Sequence, residues 1–138
     1  MDMTNLIINK LDYQRLIDRV TKAKSDPNAS FKHIRTLLLG VSQATLLEPA
    51  QIPADVVTMN SLVKIRYLDN QKTLNVRLVY PEQANVDQRQ ISIFSPLATA
   101  LLGCKTGDQI NLTTPARTVK IQIDAILYQP EAAGDLAL

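Results

Sequence analysis

The apolar residues of this chain change period once, and that change limits what it can fold into. Between residues 12 and 47 they recur every three or four positions, and from Val56 onward they recur every second position. The first pattern is that of amphipathic helices, the second that of strands with one buried face.

In the helical part, Asp12 can cap a helix whose stripe is Tyr13, Leu16, Ile17 and Val20. Ser25-Asp26-Pro27-Asn28 breaks the pattern, because a residue before proline is pushed out of the α region. Ser30 can cap a second helix carrying Phe31, Ile34, Leu37, Leu38 and Val41 and ending near Leu47, before Glu48-Pro49. Two such helices across a short turn form an antiparallel hairpin, with arms that reach roughly 20–25 Å at 1.5 Å per residue. Residues 49–55, with Pro49 and Pro53, have the composition of a stiff linker. The expected division is a hairpin over 1–48, a linker over 49–55 and a second domain over 56–138.

In that second part, Val63, Ile65 and Tyr67 alternate with polar residues, as do Leu74 to Tyr80 and Val119 to Leu127. Ile91 and Ile93, then Ile110 and Leu112, add shorter runs. Hairpin-scale gaps imply an antiparallel sheet. A helix interrupts the strands, with Ser95 as N-cap, Pro96 at its first position and Gly103 just past its end. The fold class is therefore α+β, a helical hairpin followed by a sheet with one helix packed on it.

Charge and rare residues bound the chemistry. Fifteen Lys+Arg against thirteen Asp+Glu leave +2. Residues 1–50 hold seven basic and five acidic residues, and residues 51–138 hold eight of each. Neither half is basic enough to make nucleic acid the expected main ligand. The single Cys104 and single His33 rule out a Cys₂His₂ or His₃ zinc site within one chain, and no cofactor is expected. His33 reads as a solvated helix residue and Cys104 as a turn residue. Gly103-Cys104-Lys105-Thr106-Gly107 has the wrong spacing for a phosphate loop. One cysteine, no long apolar run and no signal-like N-terminus favour a cytoplasmic protein away from membranes. The hairpin tip carries Lys24 and Asp26, with Arg19 and Lys22 close by, a net +2 over residues 19–28. A basic tip with one lone carboxylate is a poor Mg²⁺ site. The tail from Pro130 reads as a frayed end or, through Leu136 and Leu138, a docked one.

Several stretches carry a family likeness: Val56 to Ser61, Leu78-Val79-Tyr80-Pro81, Ser95-Pro96-Leu97 running into Leu101-Leu102-Gly103, Gly107-Asp108, and Tyr128-Gln129-Pro130-Glu131-Ala132-Ala133-Gly134-Asp135. Together they resemble the nucleoside diphosphate kinase regulators (Rnk), relatives of the GreA and GreB transcript-cleavage factors. The resemblance implies an FKBP-like fold for residues 56–138 and a short coiled coil before it. It implies a monomer that is no enzyme and that docks on RNA polymerase near the secondary channel. DNA would then be contacted only through the polymerase. The polymerase contact would fall on Ser95 and Pro96, with Phe94 before them as an apolar anchor. A Gre cleavage factor delivers Mg²⁺ with a long, acid-tipped hairpin, so short arms and a basic tip imply docking without cleavage, in competition with Gre factors. Influence on nucleoside diphosphate kinase would then be indirect. The alternatives are direct binding to that kinase, or an FKBP-type prolyl isomerase. The isomerase would need an aromatic pocket from Tyr67, Tyr80, Phe94 and Tyr128.

Overall fold

A computed structural model describes residues 7–23, 31–113 and 116–135. Lys24, Asp26, the Ser25–Asn28 turn, the Ser30 cap and the tail leucines Leu136 and Leu138 lie outside them.

Strand β1 (Ile7–Asn9) leads into helix α1 (Lys10–Ala23), and helix α2 (Phe31–Ser42) leads into strand β2 (Thr45–Leu47). β1 and β2 pair in parallel, with Ile8 opposite Leu46. The second helix therefore stops at Ser42 rather than near Leu47. Hydrogen bonding to β1 captures Thr45–Leu47, and Leu46 packs on the core from a strand instead of a helix. The first helix also starts differently from the expectation. Asn9 holds the capping position, accepting from the Asp12 backbone N–H at 2.7 Å through Oδ1, while Asp12 itself is buried inside the first turn.

The main sheet runs β5 (Gln90–Ser92), β4 (Thr73–Val79), β3 (Leu62–Tyr67), β7 (Thr118–Tyr128), β6 (Gln109–Thr113). All neighbours are antiparallel except β4 and β5. The antiparallel expectation fails at β5 because residues 81–89 carry the chain back along β4 before it pairs, so that Leu78 faces Ile91 in parallel. Two register shifts between β3 and β7 mark bulges, which bend a sheet and increase its twist.

One side of the sheet is apolar. Val63, Ile65, Val76, Leu78, Ile121 and Ile123 are all buried there, as period-two patterning requires. Helix α3 (Pro96–Leu101) lays Ala98 and Leu101 into the same core, and α1 and α2 add Leu16, Val20, Leu37 and Val41. The tail forms a short helix α4 (Pro130–Ala133), closed by Gly134 in the left-handed conformation that favours glycine. Among the described residues no helix is long and apolar enough to cross a membrane.

Ile65 is fully buried at the centre of the sheet. Ile65→Ala should lower unfolding free energy by about 3 kcal/mol. A urea titration should show the lower midpoint with an unchanged slope.

Candidate functional site

Two regions gather the residues singled out above. The first is the turn between β5 and α3. Ser95 Oγ accepts from the Ala98 N–H at 3.3 Å and donates to the Ser92 carbonyl at 2.7 Å. Ser92 Oγ accepts from the Phe94 N–H at 3.1 Å, and Thr99 Oγ1 donates to the Ile93 carbonyl at 2.7 Å. The Ser95 hydroxyl is thus committed to holding the turn. Pro96, at the first helical position, is the exposed residue of the trio, and Phe94 is half-buried against the core. Ser92 and Thr99 complete this turn. Only the Ser95-Pro96 capping signal was visible in the sequence, because the bonds of Ser92 and Thr99 depend on where the strand ends.

The second region is a buried polar junction where α1, the loop before β3 and the tail meet. The tail docks, through Gln129 and Glu131. Asp12 Oδ2 accepts from the Met59 N–H at 3.2 Å and from Asn9 Nδ2 at 3.2 Å, and Tyr80 donates to Oδ1 at 3.2 Å. Asn9 Nδ2 also reaches Glu131 Oε1 at 2.6 Å, and Thr58 Oγ1 donates to Glu131 Oε2 at 2.8 Å. Ser61 Oγ lies 2.9 Å from the Thr58 hydroxyl and accepts from the Thr58 N–H at 3.0 Å. Gln129 Nε2 donates to the Pro53 and Val56 carbonyls, each at 2.7 Å, and its Oε1 caps α4. This ties down residues 49–56, where Pro49–Gln51 form a 3₁₀ turn and Ile52 is buried. Between these groups lies a cleft of about 10 Å³, room for one water at most.

Burial, followed by the nearby charge of Glu131, raises the Asp12 carboxyl from 3.8 to about 7, while its bonds from Met59, Tyr80 and the charge of Arg15 pull the other way. Burial and the Asp12 charge push the Tyr80 phenol well above its ordinary range. Arg19 stacks over the other side of this junction, its guanidinium 4.4 Å from the Tyr80 ring centre and 2.5 Å from Glu82. The carboxylates that meet here are 119 positions apart in sequence, and no local pattern announces them.

The remaining candidates behave as structural residues. Cys104 is buried, its Sγ 3.3 Å from the Ala100 carbonyl, and burial pushes its thiol up to about 12. That leaves almost no thiolate near neutrality. Gly103 and Gly107 both take positive φ, consistent with a cap and a turn. The four aromatics do not converge: Tyr67 and Phe94 pack partly on the core, Tyr80 binds Asp12, and Tyr128 lies on the solvent side of the sheet under Arg77.

Comparison with known proteins fits this geometry. Residues 52–128 match the family model "Transcription elongation factor, GreA/GreB, C-term". The chain belongs to the GreA/GreB family. Within it, the chain is 35% identical over 139 residues to the regulator of nucleoside diphosphate kinase of Escherichia coli K12, covering all of both chains. It is 33% identical over 96 residues to GreA of Helicobacter hepaticus, covering 70% of this chain and 59% of that one. A solved GreA/GreB factor from Nitrosomonas europaea superposes with a TM-score of 0.76 at 30% identity, over 89% of this chain and 99% of that one. The chain thus has a GreA/GreB-like fold, a curled mixed sheet with few helices, and its likeness to the kinase regulator runs through the N-terminal helices as well.

Two measurements probe the two regions. Ser95→Ala should cost about 1 kcal/mol of stability, read from thermal or urea unfolding. For the junction, the sign follows from the Asp12 shift. The folded carboxyl keeps its proton to a higher pH than the unfolded one, so the resulting stabilisation is complete below about 4 and is lost as pH rises through about 7. Comparing Asp12→Asn with the parent by urea unfolding across this range should show the parent losing stability relative to the variant, with the difference flat above it.

Proposed function

We propose that this protein is a non-enzymatic transcription regulator that docks on RNA polymerase near its secondary channel and competes there with Gre factors without stimulating transcript cleavage. The observation that carries this reading is the Ser92–Thr99 turn. Its hydrogen bonds hold an exposed Pro96 beside a half-buried Phe94 on a fixed scaffold, within the stretch that matches the GreA/GreB model. A contact surface that is already ordered loses little entropy on binding.

Reach and charge both oppose cleavage in this reading. Helix α1 has 14 residues and α2 has 12, lengths of about 20 Å at 1.5 Å per residue. In sequence, Asp26 stands among Arg19, Lys22 and Lys24. In this reading the two helices form a short coiled-coil prong over residues 1–48, residues 49–55 link it to an FKBP-like docking module over 56–138, and the monomer acts alone in the cytoplasm. Lys24 and Asp26 form the tip of the prong, and Phe94, Ser95 and Pro96 the polymerase contact. Nucleoside diphosphate kinase, named for the Escherichia coli relative, is influenced through transcription rather than by direct binding.

Purified core RNA polymerase should retain this protein in a pull-down, and an added Gre factor should displace it. Stalled, backtracked complexes should not be trimmed by this protein, and it should slow trimming by the Gre factor. Pro96→Glu should weaken retention at least tenfold with an unchanged melting temperature. No retention at micromolar concentrations, or prompt trimming by the protein alone, would overturn the reading.

A further inference from the structure

The solvent side of the sheet sorts charge in a way the balanced composition conceals. Residues 51–138 carry eight basic and eight acidic side chains. Strand alternation nevertheless places Lys64, Arg66, Arg77 and Lys120 on the solvent side, against one strand acid, Asp124, while Asp135 of the tail accepts from Tyr128 at the Arg77 end. Arg66 already neutralises Asp124: Nε and Nη2 each lie 2.9 Å from its Oδ2. Gln122 donates to the other oxygen at 3.0 Å. Among the described residues Lys64, Arg77 and Lys120 form no salt bridge.

The register makes these cations an oblique row across three strands. Arg77 on β4 stands opposite Leu62 on β3. Lys64 and Arg66 follow at alternate positions, about 7 Å apart. Arg66 faces Gln122 on β7, with Lys120 two residues on. Arg77 is fixed in place: Nη1 donates to the Asn60 carbonyl at 3.1 Å, and its guanidinium lies 5.3 Å from the Tyr128 ring centre. Between the cations stand the amide of Asn75, opposite Lys64, and that of Gln122, which is bonded to Asp124 and Gln109.

The class of partner follows from what the face has and lacks. Protein partners usually need an apolar centre with aromatic anchors, and here the centre is Lys64, Arg66 and amides. A duplex read in its groove needs a helix or ribbon that enters it, which the face of a five-stranded sheet does not offer. Spaced cations suit phosphates, the Asn75 side-chain amide suits a 2′-hydroxyl that both donates and accepts, and a fixed guanidinium plane can stack on a base. We infer that this sheet face binds single-stranded RNA through its backbone, without sequence preference. The inference stands apart from polymerase docking, since it uses the sheet and not the Ser92–Thr99 turn.

The test is fluorescence anisotropy with a labelled, mixed-sequence single-stranded RNA and the full chain. Lys64, Arg77 and Lys120 as three phosphate contacts predict that log K falls with log salt at a slope of about −2. The Lys64→Gln, Lys120→Gln double variant should cut that slope to about a third and weaken binding about tenfold or more at low salt. Arg77→Lys should keep the slope yet weaken binding about fivefold, through loss of stacking. Lys105→Gln, off this face, should change nothing. Melting temperatures of all variants exclude unfolding as the cause. No anisotropy change at about 1 mM protein, beyond the weak end of such affinities near 10⁻⁴ M, overturns the inference. So does binding that survives the double variant, equal affinity for DNA of the same sequence, or tighter binding of a polyglutamate peptide.

Discussion

A buried carboxylate, Asp12, organises how the helices meet the sheet. Its two oxygens accept from the backbone of the loop before β3, from the end of β4 through Tyr80, and from the residue that caps α1. Removing an acceptor from such a site leaves several donors unsatisfied at once, each costing about 1–3 kcal/mol. The arrangement therefore fixes the place of α1 by polar geometry rather than by apolar contact alone. Apolar packing tolerates small rotations. A carboxylate with donors from three segments tolerates far fewer.

Glu131 extends the same logic to the tail. It shares Asn9 with Asp12 and takes a proton donor from Thr58, so the end of the chain, its beginning and its middle meet within one set of hydrogen bonds. Two of the stretches that carried the family likeness, Val56 to Ser61 and Tyr128 to Asp135, are the walls of this junction. Their physical role is to seat the N-terminal helices on the sheet.

Much of the main sheet was legible because one buried face forces a strict alternation. Val63 and Ile65, Val76 and Leu78, and Ile121 and Ile123 announce themselves, and Ser95, Pro96 and Gly103 punctuate α3 from end to end. What escaped was either too short or too distant. The three-residue strands β1 and β2 hold less than two periods, so Leu46 looked like the last turn of a helix. Asn9 and Asp12 are both good capping residues, and only the burial of Asp12 distinguishes them. The meeting of Asp12 and Glu131 at the Asn9 amide and the oblique cation row are products of topology, assembled from segments that are unremarkable when read one at a time. At the Ser92–Thr99 turn the cap was legible, while the half-burial of Phe94 was not, since it sits where the alternation ends.

The β1–β2 pair has a geometric corollary. Because those strands lie side by side, the start of α1 and the end of α2 are rooted at one place, while Leu16, Val20, Leu37 and Val41 lay both helices along the core. A slip of β1 against β2 would shift both roots at once and draw those four side chains out of register with the sheet. Two strands of three residues thereby act as a clasp that sets the alignment of two helices.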